Sequence, residues 1–296
     1  MPPMGKVTRV SRPSPTLELY AKAAASSVLP DQLWGGGSSL PDQTLERRVR
    51  PDRGEIAAYN EVCGFASTGV LPVTYPHILG FPLSMQLMTG RTFPLPVLGL
   101  VHVANTITAH RPVSADAVLT VSVHAEGPYP HRRGAVVDLV TEVSDDSGPL
   151  WQESSAYLAK GSKLASDRDP RPPVDWPLPP SDAHVREARI GGDIGRRYGS
   201  VSGDRNPIHL HAVTARAFGY KRAIAHGMWT LANSLAVAGM PFDPPYQVSA
   251  AWRKPVLLPA NVRLLTATEG GELRIWLTGP TVETVHLVAT VQRIPD

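Results

Sequence analysis

Segments that predict helices and strands follow the same order in both halves of the chain. Each half has an apolar segment of helical composition and then three strand-like segments, the clearest of which alternate apolar and polar residues. The helical segments are 79–87 and 228–238; the strand-like segments are 117–125, 135–143, 150–159, 261–268, 272–279 and 284–292. Turns are expected at 128–134 and at Gly270-Gly271. This pattern predicts an α+β fold in which one helix covers an antiparallel sheet, twice in tandem.

Short matches between the halves indicate an internal duplication. The motif Y-x-x-V-x-G begins at Tyr59 and again at Tyr198, 139 positions later. Three further matches have a spacing of 143 positions: Pro112-Val113 with Pro255-Val256, Ala117 with Ala260, and Glu126-Gly127 with Glu269-Gly270. Repeated matches in the same order favour two copies of one fold.

A proline-rich segment separates the two copies. Six prolines fall between Pro170 and Pro180, and such a run excludes both a helix and a central strand. We therefore predict an N-terminal unit over residues 18–163, a stiff linker over 164–182 and a C-terminal unit over 183–296.

The segment from Tyr198 to Met228 has the most chemically informative residues. Gly203 allows a backbone conformation that other residues resist, directly before Asp204. Asn206-Pro207 favours a loop that enters a short helix at the proline. Asp204 and His209 are therefore expected on one ordered segment, five residues apart, before the next apolar helix begins.

This segment resembles a known family signature. SGDRNPIH at 202–209, followed by AxxxGYxxxIAHGM at 215–228, is similar to the signature of the MaoC-like, or type 2, (R)-specific enoyl-thioester hydratases. The resemblance implies the hotdog fold, a long helix wrapped by an antiparallel sheet. The rest of the chain resembles the double-hotdog members, in which two units are fused and the first has lost its active site.

The resemblance implies a reaction and a set of site residues. Water would add reversibly across a trans-2-enoyl thioester to give a (3R)-hydroxyacyl thioester, a reaction of fatty-acid metabolism. The thioester would be that of coenzyme A or of a carrier protein, and no cofactor would be needed. Asp204 and His209 would form the catalytic pair, with their acid and base roles left open. The amide of Gly227, at a helix N-terminus, would stabilise the enolate oxygen. Residues expected to bind substrate or support this site are Tyr198, Ser202, Asn206 and His226.

The duplication predicts what replaces the pair in the first copy. The 139-residue spacing sets Phe65 opposite Asp204 and Val70 opposite His209. We expect these two apolar residues to line a pocket for the acyl tail.

Composition narrows the class of protein. The 29 basic and 26 acidic residues nearly balance, so nothing indicates nucleic-acid binding. Cys63 is the single cysteine, which excludes an intrachain disulfide and fits a reducing compartment. No apolar stretch is long enough for a membrane span, and no secretory signal is evident, so a cytoplasmic protein is expected. The two units could form a monomeric pseudo-dimer or pair again as a homodimer.

The sequence leaves several alternatives to this hypothesis open. Metal binding by Asp204, His209, His211 and His226 is disfavoured because their spacing matches no usual zinc pattern. Lys221-Arg222 and Arg253-Lys254 are candidates for coenzyme A phosphates, whereas His131-Arg132-Arg133 and His211 are expected to be solvated. Cys63 is expected to be packed and unreactive. A thioesterase on the same fold and a non-catalytic acyl-thioester-binding subunit are the two rival functions.

Overall fold

The structure is a computed structural model that describes residues 6–28, 39–164, 168–169, 177–239 and 243–295, without the side chains of residues 25–28. Most of the predicted linker at 164–182 and most of the glycine-rich loop at 35–39 lie outside the described residues. None of the described helices is long and apolar enough to cross a membrane.

Eleven strands form one continuous sheet in the described residues. They are β1 (Lys6–Arg9), β2 (Gln43–Val49), β3 (Leu100–Ala109), β4 (Leu119–His131), β5 (Gly134–Asp145), β6 (Gly148–Lys160), β7 (His184–Ile190), β8 (Tyr246–Trp252), β9 (Ala260–Glu269), β10 (Glu272–Thr278) and β11 (Val285–Arg293). Their order across the sheet is β1-β2-β4-β5-β6-β3-β8-β11-β10-β9-β7, with every neighbouring pair antiparallel except β1 and β2.

The strand order has an approximate twofold relationship about its centre. Reading outward from the β3–β8 pair, β6, β5, β4 and β2 on one side match β11, β10, β9 and β7 on the other. The two halves were expected to carry separate sheets. Instead, Ala104–Ala109 pairs with Tyr246–Ala251 and joins them into one sheet. This pairing satisfies backbone groups that would otherwise leave two open sheet edges.

Seven α-helices and one short 3-10 helix, Val97–Gly99, lie in the described residues. The α-helices are α1 (Thr16–Val28), α2 (Arg53–Cys63), α3 (Tyr75–Met88), α4 (Ile194–Ser202), α5 (Pro207–Leu210), α6 (Ala212–Ala217) and α7 (Gly227–Ala238). The two most apolar, α3 and α7, are the predicted covering helices: α3 packs on β4 and β5, and α7 packs on β10 and β11. Most of their side chains are buried, because each helix lies between the sheet and other elements.

The duplication is visible in matching positions up to the loop that carries Asp204. Tyr59 of α2 and Tyr198 of α4 are both buried, with ring centroids 6.2 Å apart. Gly64 and Gly203 end these helices with φ values of 86° and 76°, a left-handed conformation that glycine adopts without strain. The α+β double-hotdog architecture therefore has equivalent helices at the predicted spacing.

Beyond these glycines the spacing of 139 positions does not continue. Residues 65–74 connect α2 to α3, whereas residues 204–226 connect α4 to α7 and include α5 and α6. The first half thus lacks the helical insertion that carries His209, so Val70 is not the structural equivalent of His209. Phe65 packs beside Tyr59, with ring centroids 6.5 Å apart, and Val70 is 42% exposed.

Candidate active site

A cavity of about 330 Å³ lies beside the β3–β8 junction, and side chains from both halves line it. Asp204, His209 and His226 line it from the second half, together with Gly227 at the start of α7. The sequence motif therefore lies around a cavity large enough for part of a small molecule.

Asp204 is held at the end of α4 by several hydrogen bonds. Its backbone amide donates to Ser202 Oγ at 3.1 Å, and that hydroxyl donates to the Tyr198 carbonyl oxygen at 2.8 Å. Its Oδ1 accepts the Asn206 amide at 3.1 Å. These contacts explain the positions of Ser202 and Asn206 in the motif: both fix the loop that presents the carboxylate.

Tyr20, on α1, donates its hydroxyl to Asp204 Oδ1 at 2.5 Å. Burial, with the neighbouring Asp204 charge, raises the pKa of Tyr20 well above its ordinary value, so the phenol stays a donor. Sequence analysis did not identify this residue. Its contact spans 184 positions, and the only local signal is the apolar side of a helix that includes Leu19, Tyr20 and Ala23.

His209 is presented by the short helix α5. Asn206 caps this helix by accepting the Ile208 amide at 3.3 Å, and Pro207 is its first residue. The helix lies directly against α4, where a Cβ on Gly195 would stand 2.0 Å from the His209 carbonyl oxygen. Glycine at position 195 therefore permits the close approach that places the imidazole at the cavity.

The hydrogen bonds define which nitrogen of His209 faces the cavity. Its Nδ1 lies 2.8 Å from the Ile224 carbonyl oxygen, so Nδ1 carries hydrogen and Nε2 carries the lone pair in the neutral ring. Burial lowers the pKa of His209 despite the opposing effects of Asp204 and the Ile224 carbonyl. A neutral imidazole with a free acceptor is suited to removing a proton.

His226 supports both members of the pair. Its ring stacks on His209 with centroids 3.7 Å apart, and its Nε2 donates to the Asp204 carbonyl oxygen at 3.0 Å. Burial, with His209 beside it, lowers the pKa of His226 to about 3, so this ring is neutral at pH 7. This hydrogen bond joins the start of α7 to the loop that carries Asp204.

Asp204 is ionised in this environment. Burial alone raises the pKa of a carboxyl group. The pKa of Asp204 is nevertheless below its ordinary value, because its charge interacts with His226 and His209 and it accepts hydrogen bonds from Tyr20 and Asn206. With Oδ1 accepting two hydrogen bonds, Oδ2 is the oxygen left for a substrate or water.

Gly227 begins α7, and its amide is among those that lack a partner within the helix. No hydrogen-bond acceptor for this amide is found among the described residues. The indole of Trp252 covers Gly227, donates to its carbonyl oxygen at 3.1 Å and would stand 3.0 Å from a Cβ at this position. A side chain at position 227 would therefore crowd the Trp252 ring, which favours glycine here.

Asp204, His209 and His226 also form a possible metal-binding group. One ligand atom from each lies within 4.8 Å of the others, which is the donor set of a site with two histidines and one carboxylate. The same imidazoles already use Nδ1 of His209 and Nε2 of His226 in hydrogen bonds to backbone carbonyls. This leaves His209 Nε2 and His226 Nδ1 as the nitrogens that could bind an ion.

Comparisons with known proteins identify the family of this chain. The MaoC-like domain family matches residues 182–287. The 3-hydroxyacyl-thioester dehydratase X of Mycobacterium tuberculosis is 37% identical over 278 residues, which are 93% of this chain and 96% of that protein. The chain belongs to the MaoC-like dehydratase family. The predicted family resemblance is therefore confirmed.

Structural similarity extends over most of this MaoC-like chain. A crystal structure of HtdX from Mycobacterium tuberculosis matches with a TM-score of 0.73 and 35% identity, covering 85% of this chain and 100% of that one. A shorter match, 32% identical over 108 residues, is to the peroxisomal multifunctional enzyme type 2 of Drosophila melanogaster; it covers 34% of this chain and 18% of that protein. These similarities confirm the α+β hotdog fold.

In this MaoC-like chain the first half also contributes polar residues that the sequence hypothesis missed. His77 and His102 line the cavity, and Glu153 bonds His77 Nδ1 at 2.8 Å. Phe65 and Val70, the expected acyl-tail residues, are not among the residues that line it. The structure therefore does not bring Phe65 and Val70 to the cavity that Asp204 and His209 line.

Four basic residues stand around the cavity on exposed positions: Arg133, Lys160, Arg253 and Lys254. Arg253-Lys254 was one of the two predicted phosphate-binding pairs. The other, Lys221-Arg222, lies outside the cavity, where Arg222 donates to the Pro259 carbonyl oxygen at 3.1 Å. Arg133 was expected to be merely solvated, but the β4–β5 turn brings it to the mouth of the cavity.

Two residues that were judged unreactive lie away from this cavity. His211, the residue after α5, is exposed and is not among the residues that line the cavity. Cys63 is buried at the end of α2, and burial raises the pKa of its thiol to about 12. A thiol with so high a pKa is a poor nucleophile at neutral pH.

Proposed function

We propose that this protein hydrates trans-2-enoyl thioesters reversibly to (3R)-hydroxyacyl thioesters in fatty-acid metabolism, with Asp204 and His209 as its catalytic pair. One observation carries the proposal. An ionised carboxylate oxygen and an unprotonated imidazole nitrogen face one cavity beside the Gly227 amide, for which the described residues offer no acceptor. Hydration needs these three groups: two acceptors that hold a water molecule and one donor for the oxygen that becomes negative.

The protonation states support specific roles for the pair. A water bound between Asp204 Oδ2 and His209 Nε2 donates one hydrogen to each. As its oxygen forms a bond to C3, one proton passes to His209, and the electron pair of the C2–C3 double bond moves into the enolate. The imidazolium then returns the proton to C2, so that atoms and charges balance and the enzyme is regenerated.

Gly227 would stabilise the intermediate enolate. Its amide is preorganised at the N-terminus of α7, where the helix dipole also favours a negative oxygen. Loss of one such donor typically costs about 2.7–4 kcal/mol of barrier height. The Trp252 contacts hold this donor in place without occupying the amide hydrogen.

The cavity mouth is lined by basic residues, which supports a thioester substrate whose carrier bears phosphate groups. Arg133 and Lys160 approach from the first half and Arg253-Lys254 from the second, so both halves would contact one carrier. We propose that these residues bind the phosphates of coenzyme A or of a carrier-protein pantetheine arm. Lys160→Ala combined with Lys254→Ala is expected to raise KM and leave kcat nearly unchanged, because these residues are remote from the reacting carbons.

Product analysis tests the function against its rivals. Incubation with trans-2-enoyl-CoA of several chain lengths is expected to remove the conjugated enoyl absorbance and to give a product heavier by one water, with the 3R configuration. Release of free coenzyme A thiol from a saturated acyl-CoA would instead support the thioesterase. Binding without either reaction, on coenzyme A and carrier-protein substrates alike, would support the non-catalytic subunit.

A further inference from the structure

A buried ion pair stands in the wall of the cavity that the first half supplies. Glu153, on β6, is 1% exposed and accepts hydrogen bonds from His77 Nδ1 at 2.8 and 2.9 Å and from Asn105 Nδ2 at 2.5 Å. Burial works against the charge of both partners. Nevertheless, Glu153 raises the pKa of His77, while His77 and Asn105 lower the pKa of Glu153.

The second nitrogen of His77 is directed elsewhere. Because Nδ1 is taken by Glu153, Nε2 is the nitrogen left to face the cavity. The raised pKa favours the protonated ring, in which Nε2 also carries hydrogen, and no acceptor for it is found in the described part of the chain. The side chain is 11% exposed and lines the cavity. A polar nitrogen with a buried carboxylate on the other side of its ring therefore faces a space that a purely aliphatic chain would fill.

His102 adds a second unsatisfied group beside it. Its ring lies 6.4 Å from that of His77, and its Nε2 is buried without a hydrogen-bond partner among the described residues. Burial, with the positive charge of His77, lowers the pKa of His102 to about 3, so this ring is neutral. A neutral imidazole offers one donor and one acceptor, whereas the imidazolium of His77 offers donors only.

Strand register gives the depth of these groups. Lys160, at the mouth, ends β6, and Tyr157 and Glu153 precede it by three and seven residues, or about 10 and 23 Å along a strand. His102 pairs with Tyr157, and Trp252, 4.5 Å from His102, bonds to Gly227. Measured from Lys160 at the mouth, the Glu153–His77 pair thus lies deeper in the cavity than Gly227. This deeper part is where the acyl chain of a bound thioester would lie.

A structural role alone explains this pair poorly. A buried ion pair usually adds little stability, and apolar residues of similar volume often replace it without loss. Its neighbours along the cavity are apolar or aromatic, among them Phe81, Leu100 and Val101. The charge is therefore placed where an apolar side chain would serve a simple acyl tail better.

We infer that His77 and His102 form a subsite for a hydroxyl group on the acyl chain of the substrate, beyond the carbons that react. The hydroxyl oxygen accepts from His77 Nε2, and its hydrogen is donated to His102. Glu153 and Asn105 orient His77 and do not touch the ligand. This inference rests on the proposed hydration and narrows its substrate class to hydroxylated acyl thioesters.

The test uses matched substrates on the full chain. Pairs of trans-2-enoyl-CoA of increasing length, with either a terminal hydroxyl or a terminal methyl group, are compared by kcat/KM. At one chain length, the wild-type protein is expected to prefer the hydroxylated member at least about tenfold, since a site built for a hydroxyl rejects its apolar analogue. The double variant His77→Leu/Glu153→Leu, which removes both charges together, is expected to reverse this preference.

Two further measurements keep the inference independent of folding and of catalysis. His124→Leu/Glu126→Leu removes the same residue types from a pair outside this cavity and is expected to keep the wild-type preference. If the double variant fails to fold, Glu153→Gln, which weakens the donor and keeps the shape, is expected to reduce the preference. Calorimetry with the corresponding saturated acyl-CoA pairs measures the same preference as a ratio of two Kd values, without turnover.

The outcomes separate the subsite from the reaction. Hydration of methyl-ended substrates without any hydroxyl preference at any length would overturn the subsite and leave the proposed function intact. An equal loss of both activities in the double variant would show that the ion pair is structural only. Absence of hydration together with a hydroxyl preference in Kd would overturn the proposed reaction and keep the subsite.

Discussion

Replacing Tyr20 by Phe removes one hydroxyl group from the site and leaves the aromatic ring. That hydroxyl donates to Asp204 Oδ1 at 2.5 Å, and the carboxylate then keeps only the Asn206 amide on this oxygen. Hydrogen bonds to charged groups contribute about 1.5–3 kcal/mol. At about 1.36 kcal/mol per factor of ten, loss of this bond is expected to lower kcat/KM by about 10- to 150-fold.

The physical reason is orientation together with charge. Without Tyr20, the carboxylate can rotate, and its pKa rises toward the ordinary value because one of the groups that lowers it is gone. Oδ2 then holds the water less firmly against the substrate. The effect is expected mainly in kcat, since Tyr20 is not among the residues that line the cavity.

The assay measures loss of the enoyl absorbance at saturating and subsaturating substrate, alongside thermal unfolding. Tyr246→Phe is the matched control: it makes the same change in a buried tyrosine at the opposite end of β8 from Trp252, about 20 Å along the strand. Wild-type kcat/KM in a folded Tyr20→Phe protein would refute the reasoning, as would an equal loss in Tyr246→Phe.

Three other predictions follow from the same geometry. Gly195→Ala is expected to lower both the melting temperature and kcat, because its Cβ would stand 2.0 Å from the His209 carbonyl oxygen; Gly69→Ala, with no atom near its Cβ, should change neither. The rate of hydration is expected to fall only as the pH drops through a His209 pKa below 6.5, since the neutral ring is the base; a profile of kcat/KM against pH with its acid limb above 6.5 would contradict this. Prolonged dialysis against a chelator is expected to leave kcat unchanged, whereas loss of activity that a divalent metal restores would assign the Asp204–His209–His226 group to an ion.

Local pattern was sufficient to predict much of the fold. Alternation indicated six of the strands, and the two apolar helical segments are the cores of α3 and α7. The pairing of β3 with β8 was not predicted, because a duplication shows that two units are alike and not which edges meet. β3 itself was not predicted as a strand; it is paired with β6 at one edge and with β8 at the other, although most of its residues are only partly buried.

The residues of the site also divide into those that the local sequence predicts and those that it does not. Asp204, His209, His226 and Gly227 lie within one continuous motif, so their proximity could be predicted from short-range loop and helix signals. Tyr20 and His77 reach the site from distant segments, and no spacing in the sequence relates them to it. The repeat did not locate cavity residues in the first half: Phe65 and Val70 do not line the cavity, because the spacing was extended across a helical insertion that only the second half contains.

The most direct test of the central claim compares three proteins on one trans-2-enoyl-CoA substrate: wild type, Asp204→Asn and His209→Ala. Thermal unfolding and binding of a saturated acyl-CoA establish that each variant is folded and keeps its cavity. If the pair moves the proton and holds the water, each variant is expected to lose about 10²–10⁴-fold in kcat while substrate binding changes little. Hydration at the wild-type rate by either folded variant would contradict the account.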